Sequence, residues 1–113
     1  MTPHIAVTDL DAAADDLLTT ARAASSGRAT TMLCAPEGQH MSQVLLALAD
    51  GRELSEHENP GQATLQVLRG SVVLRAGAAE WHLSPREHMV IPPVRHSLFA
   101  NEDAVVILTM VKG

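Results

Sequence analysis

Six histidines are the residues in this chain best equipped for chemistry: His4, His40, His57, His82, His88 and His96. A neutral imidazole ligates transition metals and, because its ordinary pKa lies near working pH, also accepts or donates a proton. His4 falls in the polar N-terminal stretch, and His82 and His88 flank a turn, where histidines are usually solvated. His40 precedes an apolar segment. His57 and His96 stand out by their surroundings, described below. Other chemistry is thin. Cys34 is the only cysteine, so neither an intrachain disulfide nor a zinc site of several thiolates can form. It ends an apolar segment and is expected to be buried and inert. No serine elbow and no glycine-rich phosphate loop is present. Met41, Met89 and Met110 read as core filling.

The elements that must position these groups follow from the pattern of the 113 residues. Residues 8–25 read as one helix, with Thr8 as its cap, Asp9, Asp11, Asp15 and Asp16 towards its start, and Arg22 near its end. Leu10, Ala14, Leu17, Ala21 and Ala24 form an apolar stripe, widened by Leu18, which must dock on something. Ser25-Ser26-Gly27 ends the helix. After Gly27 the period changes. Apolar segments at 30–34, 41–49, 64–68, 71–75, 80–83, 89–91, 96–100 and 104–111 are separated by Gly, Pro, Asn and Asp, predicting about eight antiparallel strands. The expected fold is all-β, a jelly roll or barrel with one N-terminal α-helix, divided into a helical segment 1–27 and a barrel 28–113. Its interior should hold Leu45, Leu65, Val67, Val90, Leu98 and Ile107.

Composition excludes several functions. An apolar share of 46% with 19% charged residues describes a folded domain. A net charge of −5 argues against a duplex-binding surface, and 2% aromatics argue against a stacking platform for single strands, so no nucleic-acid partner is expected. No apolar run is long enough to span a membrane, and no membrane association is expected. One cysteine fits a reducing cytoplasm, the expected location.

His57 lies in GRELSEHENPGQATLQVLRG, residues 51–70, and His96 in PREHMVIPPVRHSLFAN, residues 85–101. Gly51 is followed by five residues and then His57. Asn59 comes two positions on, Ala63 four after that, and Gly70 seven after that. This spacing resembles the first motif of the cupins, in which a His-x-His pair and a glutamate stand where His57, Asn59 and Ala63 stand here. The second window, with Pro92, His96 and Asn101, resembles the second cupin motif, one residue short and without its glycine. The resemblance covers roughly half of the chain. It implies a small cupin of the type-2 kind, an RmlC-like double-stranded β-helix.

The resemblance also implies a site in the barrel mouth. His57 and His96, with Asn59 as a weaker ligand, would hold one divalent transition metal (iron, manganese, nickel, copper or zinc). Ala63 offers no carboxylate, and Gln43, His40 and Gln66 are the candidates to make up that deficit; Gln66 lies an odd number of residues from Ala63 and should point outward, so Gln43 is the one expected. The alternative is a metal-free pocket in which His57, Asn59, His96 and Gln43 contact a small-molecule ligand. Three functions follow: a binding module for a small molecule or metal, a metal-dependent dioxygenase or isomerase of a small acid or sugar, and an interaction protein working through helix 8–25 or a sheet edge. Almost no aromatic residue is available to line the mouth, although Trp81 and Phe99 could reach it, so a small polar or aliphatic ligand is expected. The resemblance further implies a homodimer, which the unpaired edges of an open jelly roll would favour.

Overall fold

The computed structural model describes residues 5–58 and 61–112, and for Glu56 and His57 the backbone alone. The helix α1 spans Leu10–Ala23. Its cap is Asp9 rather than Thr8: the Asp9 carboxylate accepts from the backbone N–H groups of Asp11 and Ala12 at 3.0 and 3.2 Å. A carboxylate satisfies these free donors and complements the helix dipole, which favours it over the neighbouring hydroxyl.

Among the described residues nine strands follow: β1 Arg28–Cys34, β2 Met41–Leu48, β3 Glu53–His57, β4 Gly61–Arg69, β5 Val72–Ala76, β6 Ala79–Leu83, β7 His88–Val90, β8 His96–Ala100 and β9 Ala104–Lys112. The strand missing from the sequence pattern is β3, whose only large apolar residue is Leu54. The strands form two antiparallel sheets, ordered β1-β2-β9-β4-β7 and β3-β8-β5-β6. Their facing sides enclose one apolar cluster that includes Leu46, Leu65, Val67, Leu74, Leu98 and Val106.

A second cluster lies on the outer side of the five-stranded sheet. There Ala14, Leu17, Leu18 and Ala21 of α1 pack on Leu45, Ala47, Val105 and Ile107. Leu45 and Ile107 are therefore buried under the helix, not inside the barrel. Val90, also expected inside, is 66% exposed. It pairs with Thr64 on the outer face, while Met89 pairs with Leu65 on the inner one.

One end of the barrel is tied together by polar contacts. Asp103 accepts from the Asp50 backbone N–H at 2.8 Å and pairs with Arg22 of α1 at 2.6 Å. These contacts hold the Asp103 carboxyl below its ordinary value, the Asp50 N–H first and Arg22 second. Gly70 has φ of +71°, and a Cβ there would run into the Asp103 carbonyl oxygen. Arg69 of β4 pairs with Asp15 and donates to the Asp11 carbonyl at 3.0 Å, fastening the first half of the helix. The opposite end carries the candidate site.

Candidate functional site in the barrel mouth

Side chains alternate along a strand, so β8 turns His96, Leu98 and Ala100 to the interior. Leu98 and Ala100 belong to the inner cluster, and His96 is 2% exposed. The preceding segment Ile91-Pro92-Pro93-Val94 aims the ring: His96 Nδ1 lies 2.8 Å from the Val94 carbonyl oxygen. A carbonyl only accepts, so Nδ1 carries the proton, and whenever the ring is neutral Nε2 carries the lone pair. That is the tautomer needed to accept a proton or to ligate through Nε2.

β3 pairs with β8 so that His57 stands opposite His96, with a register shift between Leu54 and His57. The fold thus brings together the two strand positions singled out by their spacing. Asn59 lies outside the described residues. Ala63, at the glutamate position, is buried in the inner cluster and pairs with Met110, which in turn pairs with Ser42. Met89, Leu108 and Met110 pack against the same cluster. The wall around Ala63 is therefore aliphatic and thioether.

Gln43 is not part of this wall. It shares parity with Leu45 under the helix and pairs with Thr109 on the outer face. There its Nε2 donates to Thr109 Oγ1 at 3.0 Å, and Cys34 Sγ donates to its Oε1 at 3.6 Å. Cys34 is half-buried rather than buried. Towards the mouth, the β2 residues on the inner side are Ser42 and Val44, in line with Leu46 and Leu48 of the inner cluster. Gln66 is exposed on β4, as its odd spacing from Ala63 requires. His40, His82 and His88 are exposed, and Met41 is exposed rather than core filling. Phe99 faces away from the interior, under the Arg75 guanidinium at 5.3 Å. Trp81 stands in register with the core residue Leu74, but on the edge strand β6, partly exposed. Sequence reasoning missed the inward-facing Met89, Met110 and Ser42 as mouth residues. The even spacing of Met110 from Val106 and Leu108 was the available signal.

Among the described residues, no group of three or more His, Cys, Asp or Glu side chains gathers as a metal cage would. No helix among them is long and apolar enough to cross a membrane.

Comparison with solved structures settles the architecture. A cupin superfamily protein from Desulfitobacterium hafniense superposes with a TM-score of 0.70 at 18% identity, covering 76% of this chain and 78% of that one. An RmlC-like cupin from Shewanella frigidimarina gives 0.70 at 18% identity, covering 79% of each. This chain has the cupin fold. A conserved protein of unknown function from Streptococcus pyogenes matches 99% of this chain and 91% of its own, with a TM-score of 0.73 at 20% identity. That match extends over the N-terminal helix as well as the cupin barrel. No protein-family model matches the sequence, and no curated protein matches it. At these identities the likeness is one of fold, and the cupin mouth has to be interpreted from its own residues.

Proposed function

We propose that this small cupin binds a small aliphatic molecule carrying a hydroxyl group, without a resident metal. What supports this reading is the chemistry the two sheets turn inwards: the buried His96 imidazole of β8, with Nδ1 held by Val94, from one sheet, and Ala63, Met89, Leu108 and Met110 from the other. Nε2 would take the ligand's polar hydrogen, and the aliphatic wall its body. The donor set fits a divalent ion poorly. Ala63 stands where a carboxylate would supply negative charge, and the thioethers and alkyl groups around it do not replace that charge.

The pairing of His57 with His96 favours a second reading, a metal-dependent oxygenase or isomerase of a small acid or sugar. Two imidazoles and Asn59 would hold the metal, and its Lewis acidity would be the chemistry supplied.

Elemental analysis of tag-free protein before any chelator, followed by a thermal-shift screen of small hydroxy acids, separates the two. The first reading expects metal far below one per chain, even after loading and desalting, and a stabilising ligand whose effect His96→Gln removes. Stoichiometric metal that His57→Ala and His96→Ala together abolish would establish the second instead. Metal retained by that double variant would place the ion elsewhere.

A further inference from the structure

The four-stranded sheet turns a graded surface towards the mouth. In its outermost row Ala76 of β5 stands beside His96, since Arg75 pairs with Ser97, and Ala76 pairs in turn with Ala79 of β6. One row deeper, Leu98, Leu74 and Trp81 are in register. The imidazole therefore borders two methyl side chains, which reach only a short way inwards, and past them stands the chain's single indole. Strand parity turns Trp81 to the same side as Leu74 and Leu98, which are 1% and 2% exposed, yet Trp81 on the edge strand keeps 39%. It presents a broad apolar surface with no neighbouring strand beyond it.

Two properties say what such a surface takes. The first is how little polar chemistry accompanies His96. The facing rows of the five-stranded sheet carry Met110, Leu108 and Met89, with Ser42 as their polar residue. A molecule with a hydroxyl on every carbon would lose its water hydrogen bonds there without replacement. One hydroxyl on a hydrocarbon chain would leave the imidazole matched and the rest of the molecule against apolar groups. The second is distance. His96 and Trp81 stand two strands and one row apart, about 12 Å between backbone positions. Both side chains point into the same space and shorten that gap, so a chain of a few carbons spans it.

Resting on the reading of the mouth as a hydroxyl site, we infer that it selects an unbranched aliphatic alcohol whose hydroxyl meets His96 and whose hydrocarbon chain crosses Ala76 and Ala79 to lie on Trp81. The two alanines are then specificity determinants: a longer side chain at either position occupies the path of the ligand's chain. Trp81 is the residue that rewards chain length. Each methylene moved from water onto apolar surface is expected to tighten binding about fourfold.

Because Trp81 is the only tryptophan, its emission reads the far end of this path directly. Titration of the full chain with n-propanol, n-hexanol, hexanoate and sorbitol, followed by emission and by thermal shift in parallel, tests it. n-Hexanol is expected to give a saturable change in emission and to bind at least tenfold more tightly than n-propanol, and sorbitol to leave both signals unchanged. Ala79→Leu should weaken n-hexanol at least tenfold with unchanged circular dichroism, since Ala79 is exposed in the free chain. Trp81→Ala, read by thermal shift, serves as a second variant should Ala79→Leu unfold, with the same loss expected. Stabilisation by n-hexanol that needs His96 but leaves Trp81 emission still, with Ala79→Leu binding like wild type, would overturn the path and leave the hydroxyl site standing. Tighter binding of hexanoate, drawn by the exposed Lys112 at the end of β9, or equal binding of sorbitol, would overturn the choice of ligand. No stabilisation by any hydroxylated aliphatic compound would overturn both.

Discussion

At the scale of single residues, two polar groups have opposite duties. His96 is buried with its Nδ1–H committed to a backbone carbonyl, so the ring is both a packing element and a fixed hydrogen-bonding group. His96→Ala removes the ring's contacts and leaves the Val94 carbonyl short of a partner; a loss of about 1–3 kcal/mol in urea unfolding is expected. Asp103 sits at the other end, receiving the Asp50 N–H and the Arg22 guanidinium. Its carboxyl is held below the ordinary aspartate value, so its stabilisation is fully present above that value and is lost as pH falls through the lower folded one. Asp103→Asn should cost about 1 kcal/mol near neutral pH, a modest figure because Arg22 is more than half exposed. The gap from wild type should close below about pH 4, as unfolding curves across pH would record.

At the scale of elements, the docking of α1 rests on few, well-buried side chains. Leu18→Ala is expected to cost about 2–4 kcal/mol by chemical denaturation, since Leu18 is buried between the helix and the sheet. Gly70→Ala should cost more than 1 kcal/mol for its positive φ alone, with the collision against Asp103 added. How legible each element was depends on how it is buried. β4 shows its alternation because Ala63, Leu65 and Val67 face the interior and Gln62 and Gln66 do not. β2 sits under α1 on one face and against the core on the other. Two-sided burial erases alternation, and the face of Gln43 and Leu45 could not be read from MSQVLLAL. β7 has three residues, too few to fix the parity that turns Val90 outwards. β3 is held by pairing with β8 rather than by its own apolar content, so nothing in ELSEH announced it. The site was legible to the same degree: the spacing of His57 and His96 anticipated their pairing, whereas the lining opposite them depends on strand faces that spacing does not reveal.

At the scale of the whole molecule, the helix and the barrel are one folding unit. Removing residues 1–27 would bare Leu45, Ala47, Val105 and Ile107, a continuous apolar strip across two adjacent strands. The shortened chain is expected to bind an apolar fluorescent dye strongly and to aggregate, measured by dye emission and light scattering. The ties among Arg22, Asp50, Arg69, Gly70 and Asp103 lie at one end, while the mouth at the other is shaped by the Pro92-Pro93 turn and the short strand β7. This asymmetry has a consequence for amide hydrogen exchange. Amides of the second half of β2 and of the first half of β9, where sheet and helix are clamped, should exchange only through global unfolding, and those of β7 and the start of β8 through local opening. A ligand in the mouth would slow the second set and leave the first almost untouched until the whole fold is stabilised. The molecule would thereby report occupancy of its rim as a change in breathing confined to one end.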